Sequence, residues 1–503
     1  MVAMIFFLLL ASVCSCFYIV KILQPKHKTN PTPPGPPGLP IIGHLHMLGG
    51  LPHHTLQRLS QKYGPIIGLR LGTAPAVVVS SAEAAELFLK THDLNFASRP
   101  SSQLFDIISY GSKGVGFSQY GPHWRNLRRI CTIHLLSISK VGSYMSLRKE
   151  EVRYFISSLK SAADSREIVN ISARVGSVLQ KISYAMIFGR GYQDKYNFKP
   201  YVEENLSMGG VFNIGDFVTL LKPFDLQGLC RRAKKLHKIT DEYLEKIIQE
   251  HEQNAIGKTE NPTDFIDVML SLMRSDNVFE EQLDRTTIKA LTMDLLGGSL
   301  DTSSSTIEWA LAELVTHPQV MKKLQEELVN IVGLHRTVEE ADLPKLDYLN
   351  MVVKETMRLH PVVPLLLPRE SIEDILIGGY HIAKSTRIIV NAWAIGRDSK
   401  TWSNNAEEFN PERFMNSNVD VRGNDIQLIP FGSGRRKCPA LELGLRQVQF
   451  VLAQLVHCFD LELPDGVSPR DVDMKELFGL TTPRATPLLV APVYRLQVSD
   501  VSL

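Results

Sequence analysis

The sequence predicts a mainly α-helical domain with a small β-rich lobe, carried behind a single N-terminal transmembrane helix. Three observations predict it. Residues 145–330 are helical in pattern, with short breaks at 189–197, 209–210, 223 and 257–262. Short β-branched runs at 66–71, 76–80 and 375–391 are separated by turn residues. Residues 2–20 hold no charged side chain and are mostly Ile, Leu, Phe, Val and Ala.

Composition narrows the class. Of the 503 residues, 44% are hydrophobic and 21% charged, a balance that fills a large core. A formal net charge of only +2 gives no argument for nucleic acid. The cysteines at 14, 16, 131, 230, 438 and 458 are few and scattered, so they suggest neither a disulfide framework nor a CxxC metal pair. That usage fits a reducing compartment.

Residues 2–20 are long enough to cross a bilayer as a helix. Lys21, Lys26 and Lys28 follow at once, and the positive-inside rule places everything downstream in the cytosol. No basic segment precedes the apolar run and no Ala-x-Ala site follows it, which favours a retained anchor over a cleaved signal peptide. Residues 21–40 then read as a basic stop and a stiff, proline-rich hinge, with prolines at 31, 33, 34, 36, 37 and 40. Residues 41–503 read as one large domain.

Within that domain, residues 56–63 read as helix and 66–71 with 76–80 as paired strands. Ser81 caps a helix running to Lys90. Residues 101–120 form a Gly/Ser-rich loop whose Phe105, Ile107, Ile108 and Tyr110 suit packing over a substrate or a membrane surface. On the next helix Trp124 and Arg128 share a face, and an indole N–H beside a guanidinium suits a carboxylate. Thr263 is the capping candidate for a helix over 264–270.

Residues 288–314 predict a long apolar helix interrupted by Gly297-Gly298-Ser299-Leu300-Asp301-Thr302. Paired glycines and hydroxyls are poor helix material. Asp301 and Thr302 are therefore either an acid–alcohol pair that handles protons or a kink with side chains bonded back to carbonyls. On a helix around 349–359, Glu355 and Arg358 lie three apart and can pair. Arg413, in a Pro-Glu-Arg-Phe loop, can join them in a buried ion network. Residues 361–369, apolar and punctuated by proline, suit an extended cavity wall. Strands follow at 375–377, 380–382 and 386–391.

The run Pro430-Phe431-Gly432-Ser433-Gly434-Arg435-Arg436-Lys437-Cys438-Pro439-Ala440 precedes a helix start at 441. Glycines allow a flat partner to approach closely. Three basic side chains and a helix N-terminus favour the thiolate of Cys438. A shielded anionic sulfur facing a flat group is what a haem iron with a cysteine axial ligand requires. The alternative is a basic turn with a buried structural thiol.

Together these segments resemble a cytochrome P450, a haem-thiolate monooxygenase. The resemblance runs from the anchor to Pro483. Phe431, Gly434, Arg436 and Cys438 match the haem loop Phe-x-x-Gly-x-Arg-x-Cys. Glu355, Arg358 and Arg413 match the structural network, and Trp124 and Arg128 match the helix that contacts a haem propionate. Asp301 and Thr302 match the oxygen-activating pair. Anchor, hinge and loop look most like the plant microsomal group that hydroxylates phenolics, terpenoids and other specialised metabolites. Two positions depart from the pattern: Ala440 stands where glycine is usual after Cys-Pro, and Ser299 stands where glycine is commonest before the acid.

The resemblance implies a cytochrome P450-like fold, haem b held by Cys438 as its metal ligand, and O2 and NADPH as co-substrates through a flavoprotein reductase. Trp124, Arg128, Phe431, Gly434 and Arg436 become cofactor-binding residues, and Asp301 and Thr302 catalytic ones. Arg125, Arg128, Arg129, Arg435 and Lys437 form a basic face for the reductase. Phe105, Leu295, Gly298, Val362, Val363, Leu366, Phe478 and Leu480 line an apolar pocket for a lipophilic substrate. The expected location is the endoplasmic reticulum membrane, single-pass, in contact with lipid and without nucleic acid. A haem-thiolate isomerase or dehydratase would need no external electron donor, and retention of Asp301 and Thr302 argues against it. A non-enzymatic haem carrier would need no substrate lining.

Overall fold

The computed structural model describes residues 31–190, 198–255, 263–275, 283–403 and 405–497. The anchor expected at 2–20, its flanking lysines and the breaks at 191–197 and 257–262 lie outside them. Among the described residues no helix is long and apolar enough to cross a membrane.

The β-rich lobe forms first. Helix α1 (Pro52–Tyr63) leads into β1 (Ile66–Leu71) and β2 (Ala74–Val79). These pair antiparallel, with Ile67 opposite Val78. The sheet gains β4 (Arg369–Glu370) and β7 (Arg387–Val390) from far along the chain, in the order β1-β2-β7-β4. Its β-branched faces bury Val77, Val79, Ile388 and Val390 under the Ala82–Glu86 helix, which Ser81 caps as expected. The proline-rich stretch is docked on this lobe. Gly68 N–H donates to the Pro34 carbonyl at 2.8 Å, and a Cβ on Gly35 would sit 2.1 Å from the Gly68 oxygen. Its stiffness is therefore matched by direct packing.

The helical part comprises α2 (Pro122–Arg129), α3 (Met145–Asp164), α4 (Ile171–Phe188), α5 (Lys199–Gly209), α6 (Leu229–Ala255), α7 (Phe265–Arg274), α8 (Arg285–Leu300), α9 (Thr302–Thr316), α10 (Pro318–Val332), α11 (Asp347–Leu359) and α12 (Leu441–Cys458). A short β3 (Val169–Asn170) pairs with β9 (Leu489–Tyr494), which pairs with β8 (Phe459–Glu462). The strands β5 (Ile375–Ile377) and β6 (Tyr380–Ile382) form the expected hairpin. The cap of α7 is Asp264, whose carboxylate accepts from Asp267 N–H, rather than Thr263. A carboxylate is the stronger acceptor, and the Thr263 hydroxyl instead donates to Asp267.

Two helices carry the core. Every residue of α9 from Ser305 to Val315 is buried, as is every residue of α12 from Phe450 to Cys458. A helix buried all round, even at Glu308 and Glu313, lies at the centre of a large domain. Helix α9 packs on α4, α11 and α12. The starts of both helices, at Thr302-Ser303 and at Ala440, face one cavity.

Candidate functional site

The cavity measures about 370 Å³ and is enclosed by α8, the start of α9, residues 362–369, residues 430–448 and the loop before α2. Its walls include Cys438, Trp124, Arg128, Phe431, Arg436 and Thr302, and the expected pocket residues Phe105, Leu295, Gly298, Val362, Val363, Leu366 and Leu480. Phe105 stacks on Phe117, with ring centroids 3.7 Å apart. Leu366 holds a positive φ of 50°, unusual for a non-glycine residue, in the turn closed by its N–H to the Val363 carbonyl. A Cβ on Gly298 would meet nothing within 4 Å, because open cavity lies beside it.

Phe478 does not reach this cavity. It is 40% exposed and its ring stacks 6.4 Å from that of His53. Gly434 is not a wall residue either. Its φ is +68°, and a Cβ there would come within 2.2 Å of the Leu89 carbonyl oxygen and 2.6 Å of the Asp93 carboxylate. Glycine is needed at 434 to fold the loop against the 87–93 segment.

Cys438 hangs from a loop closed by its own N–H to the Phe431 carbonyl at 2.9 Å. Of the basic loop expected to favour the thiolate, Lys437 acts in that direction, and burial acts against it. Burial pushes the Cys438 thiol up, opposed by an Ala440 backbone hydrogen bond and by Arg128 and Lys437. Arg435 points outward and Arg436 is engaged elsewhere, so neither acts on the sulfur. Ala440 adopts φ −96° and ψ 18° at the N-terminus of α12, a conformation open to any L-residue. Its methyl joins the cavity wall without backbone strain.

Four arginines on the walls define the electrostatics. Arg436 donates to the carbonyls of Ala97 (2.6 Å), Val115 and Ser118, with its guanidinium 4.4 Å over the Trp124 ring. Trp124 Nε1 also donates to Val115 (3.1 Å), and Arg128 Nη1 donates to the Lys437 carbonyl. Arg99 donates to Gly116, Leu367 and Pro368. Arg369 pairs with Asp93 at 2.7 Å and donates to Ser433. Burial lowers the pKa of all four, and Arg436, also repelled by Arg369 and Arg128, falls to about 9. Among the described residues that ion-pair with these four, Asp93 is the only acid. A cavity end with this surplus of positive charge, next to a lone sulfur, fits a flat cofactor with two carboxylates and a cationic metal. The residues present therefore fit haem.

Arg99 and Arg369 were missed from the sequence. Each adjoins a proline, and nothing local marks them as neighbours of Arg436. Asp294 was missed too, although it is the only acid between Lys289 and Asp301 in an apolar helix. Its carboxylate accepts from Gly116 N–H at 2.8 Å, and Gly114 leaves it room: a Cβ there would sit 2.1 Å from Oδ2. Asp294 thus ties α8 to the loop whose Val115 carbonyl receives Trp124 and Arg436. Burial raises its pKa to about 6 against the opposing backbone bonds from Gly116 and Val115. A raised carboxyl costs nothing below its unfolded pKa near 4, and the full penalty applies above about 6. Asp294→Asn removes it. The stability of the native protein relative to this variant is expected to fall by about 3 kcal/mol between pH 4 and pH 6, read by urea unfolding at each pH.

The acid–alcohol stretch shows the kink, with hydroxyls bonded back to carbonyls. Helix α8 stops at Leu300, Asp301 forms a one-residue break, and α9 starts at Thr302, while Ser305 N–H still reaches the Asp301 carbonyl at 3.0 Å. The Thr302 hydroxyl donates to the Gly298 carbonyl at 2.8 Å, leaving its lone pairs toward other partners. Ser299 satisfies its hydroxyl on Leu296 and lines the wall. Asp301 is an exposed residue off the wall. Its carboxyl is nonetheless flanked closely enough that burial raises its pKa, with the Glu203 charge adding to the effect.

Glu355, Arg358 and Arg413 do meet, away from the cavity. Arg358 forks onto Glu355 at 2.7 and 2.8 Å, and Arg413 Nε reaches the same carboxylate at 2.9 Å. Of the expected basic face, Arg125, Arg129 and Arg435 are exposed and Lys437 is half-buried.

Comparison with known proteins gives a consistent result. A sequence profile of the family described as Cytochrome P450 matches residues 33–489. Cytochrome P450 CYP736A12 of Panax ginseng is 52% identical over 484 residues, covering 95% of this chain and 97% of the relative. The flavonoid 3'-monooxygenase of Arabidopsis thaliana is 42% identical over 502 residues, covering 97% of each. A zebra fish cytochrome P450 solved with progesterone superposes with a TM-score of 0.75 at 26% identity, covering 88% of this chain and 99% of that one.

Proposed function

This chain belongs to the cytochrome P450 family, and on that premise we propose a membrane-anchored enzyme that inserts one oxygen atom of O2 into a lipophilic phenolic or terpenoid. It is a monooxygenase of the oxidoreductase class that uses haem b, with electrons from NADPH delivered by a reductase. Bound haem with a thiolate ligand supplies O2 activation and oxygen-atom transfer. The protein's own contribution is placement, proton supply and exclusion of water.

The observation that carries this reading is the meeting of Cys438, the arginine-rich wall and Thr302 in a single apolar cavity. Cys438 is assigned to the iron. Arg99, Arg128, Arg369 and Arg436 neutralise the propionates, with Trp124 packed against Arg436. Phe431 shields the sulfur side. Thr302, on the cavity wall, would offer its hydroxyl at the reaction end of the cavity, and Asp301, next in sequence and reachable from solvent, would supply protons through it. Phe105, Leu295, Val362, Val363, Leu366 and Leu480 favour a lipophilic substrate. Three relatives named as flavonoid 3'-monooxygenases support the phenolic class. The exposed Arg125, Arg129 and Arg435 suit docking of an acidic flavoprotein reductase, with turnover that weakens as salt rises. Residues 2–20 are assigned as the anchor, with the catalytic domain on the cytosolic face of the endoplasmic reticulum.

The test is reconstitution of the full chain with an NADPH-dependent reductase in lipid vesicles, offering a panel of phenolics and terpenoids. Products heavier by one oxygen, formed only with NADPH and reductase, are expected. Products formed without either would assign an isomerase or dehydratase. In the same assay Thr302→Ala is expected to keep the haem spectrum and NADPH consumption while product per NADPH falls at least about tenfold. Thr302→Ser restores the yield.

A further inference from the structure

The geometry points to a divalent transition-metal site formed by His53, His54 and Glu476, outside the haem cavity and beyond the proposed reaction. His53 and His54 open α1 right after Pro52. Their Nε2 atoms lie 2.8 and 2.7 Å from the same Glu476 oxygen, Oε2, and all three ligand atoms fall within 4.8 Å of one another. Two imidazole nitrogens and a carboxylate oxygen are a donor set for first-row divalent metals. At metal–ligand distances of about 2.1 Å, these separations subtend an angle of roughly 80° at the ion. That is close to the right angle of one face of a five- or six-coordinate ion, with water completing the shell.

The surroundings suit such an ion. The other Glu476 oxygen accepts from Trp393 Nε1 at 3.2 Å, which orients the carboxylate from behind. His53 is fully buried and its backbone carbonyl is anchored by Asn391. Nδ1 of His53 has no hydrogen-bond partner, so nothing on that side fixes which nitrogen carries the proton. The His54 side chain is 40% exposed, which provides an entry path and room for water ligands.

The site has leverage on the cavity. Glu476 bridges Arg484 across a hairpin whose turn carries Leu480 and Thr481, both wall residues. Thr482 N–H meets the Val362 carbonyl at 2.8 Å, and Trp309 Nε1 donates to the Thr482 carbonyl. An ion at Glu476 would cross-link α1 to this hairpin and stiffen one side of the substrate cavity.

The test is calorimetric titration of tag-free, chelator-treated full-length holoprotein with Ni2+ alone, followed by X-ray absorption at the nickel edge. One equivalent bound in the micromolar range, with two imidazoles in the shell, is expected. His54→Ala and Glu476→Gln should each weaken it about tenfold or more, with the haem spectrum reporting intact folding, and His46→Ala should leave it unchanged. No binding, or binding that ignores both substitutions, would overturn the assignment.

Discussion

Arg358→Ala is expected to destabilise the protein by about 3–5 kcal/mol and to leave most of the chain without haem. Arg358 is 1% exposed and Glu355 fully buried, so the substitution strands a carboxylate in the interior. It also removes the donors to the carbonyls of Gly396, Ala406 and Glu408. Those carbonyls belong to the 396–413 segment, and Arg413 holds the same segment through Asn405, Glu408 and Glu355. The network is thus a clamp between α11 and the chain that leads into the Cys438 loop. Arg358→Lys rescues little, because an ammonium cannot reproduce the fork onto Glu355 and the separate carbonyl bonds. Urea unfolding and the haem-to-protein absorbance ratio both read the effect. A variant that unfolds at the native urea concentration and retains its haem would show the network to be dispensable.

The pairing of Glu355 with Arg358 was legible in the sequence because the two share a helix face, whereas Arg413, 58 residues on, was placed with them by the resemblance of its Pro-Glu-Arg-Phe loop. The strands at 66–80 and 375–391, the Ser81 cap and the break at Asp301 were legible as the helical pair was: each is decided by nearest neighbours along the chain. What depends on distant segments was not. Arg99 and Arg369 lie 270 residues apart, and only the pairing of β4 beside the Cys438 loop brings both to Arg436. Phe478 has the apolar character of a pocket residue, but the hairpin turns Leu480 inward and leaves Phe478 against His53. At Cys438, burial acts against the charges of Lys437 and Arg128, and Arg435 faces away. The close backbone approach of Gly434 to Leu89 is likewise set by a distant segment.

The other large effect is expected at Cys438 itself. A serine hydroxyl fills nearly the same space on the loop but does not ionise near neutral pH, and burial raises even the thiol. Cys438→Ser should therefore remove the thiolate ligand and abolish monooxygenation while leaving the arginine wall and the clamp intact. Its unfolding midpoint in the haem-free state is expected to match that of the haem-free native chain.

The carbon monoxide difference spectrum of the reduced full-length protein in membranes, native and Cys438→Ser side by side, tests the haem-thiolate assignment most directly. The native protein is predicted to show the thiolate-ligated signature and the variant to lack it. A variant that keeps the signature, or a haem-loaded native protein without it, would contradict the assignment of Cys438 to the iron.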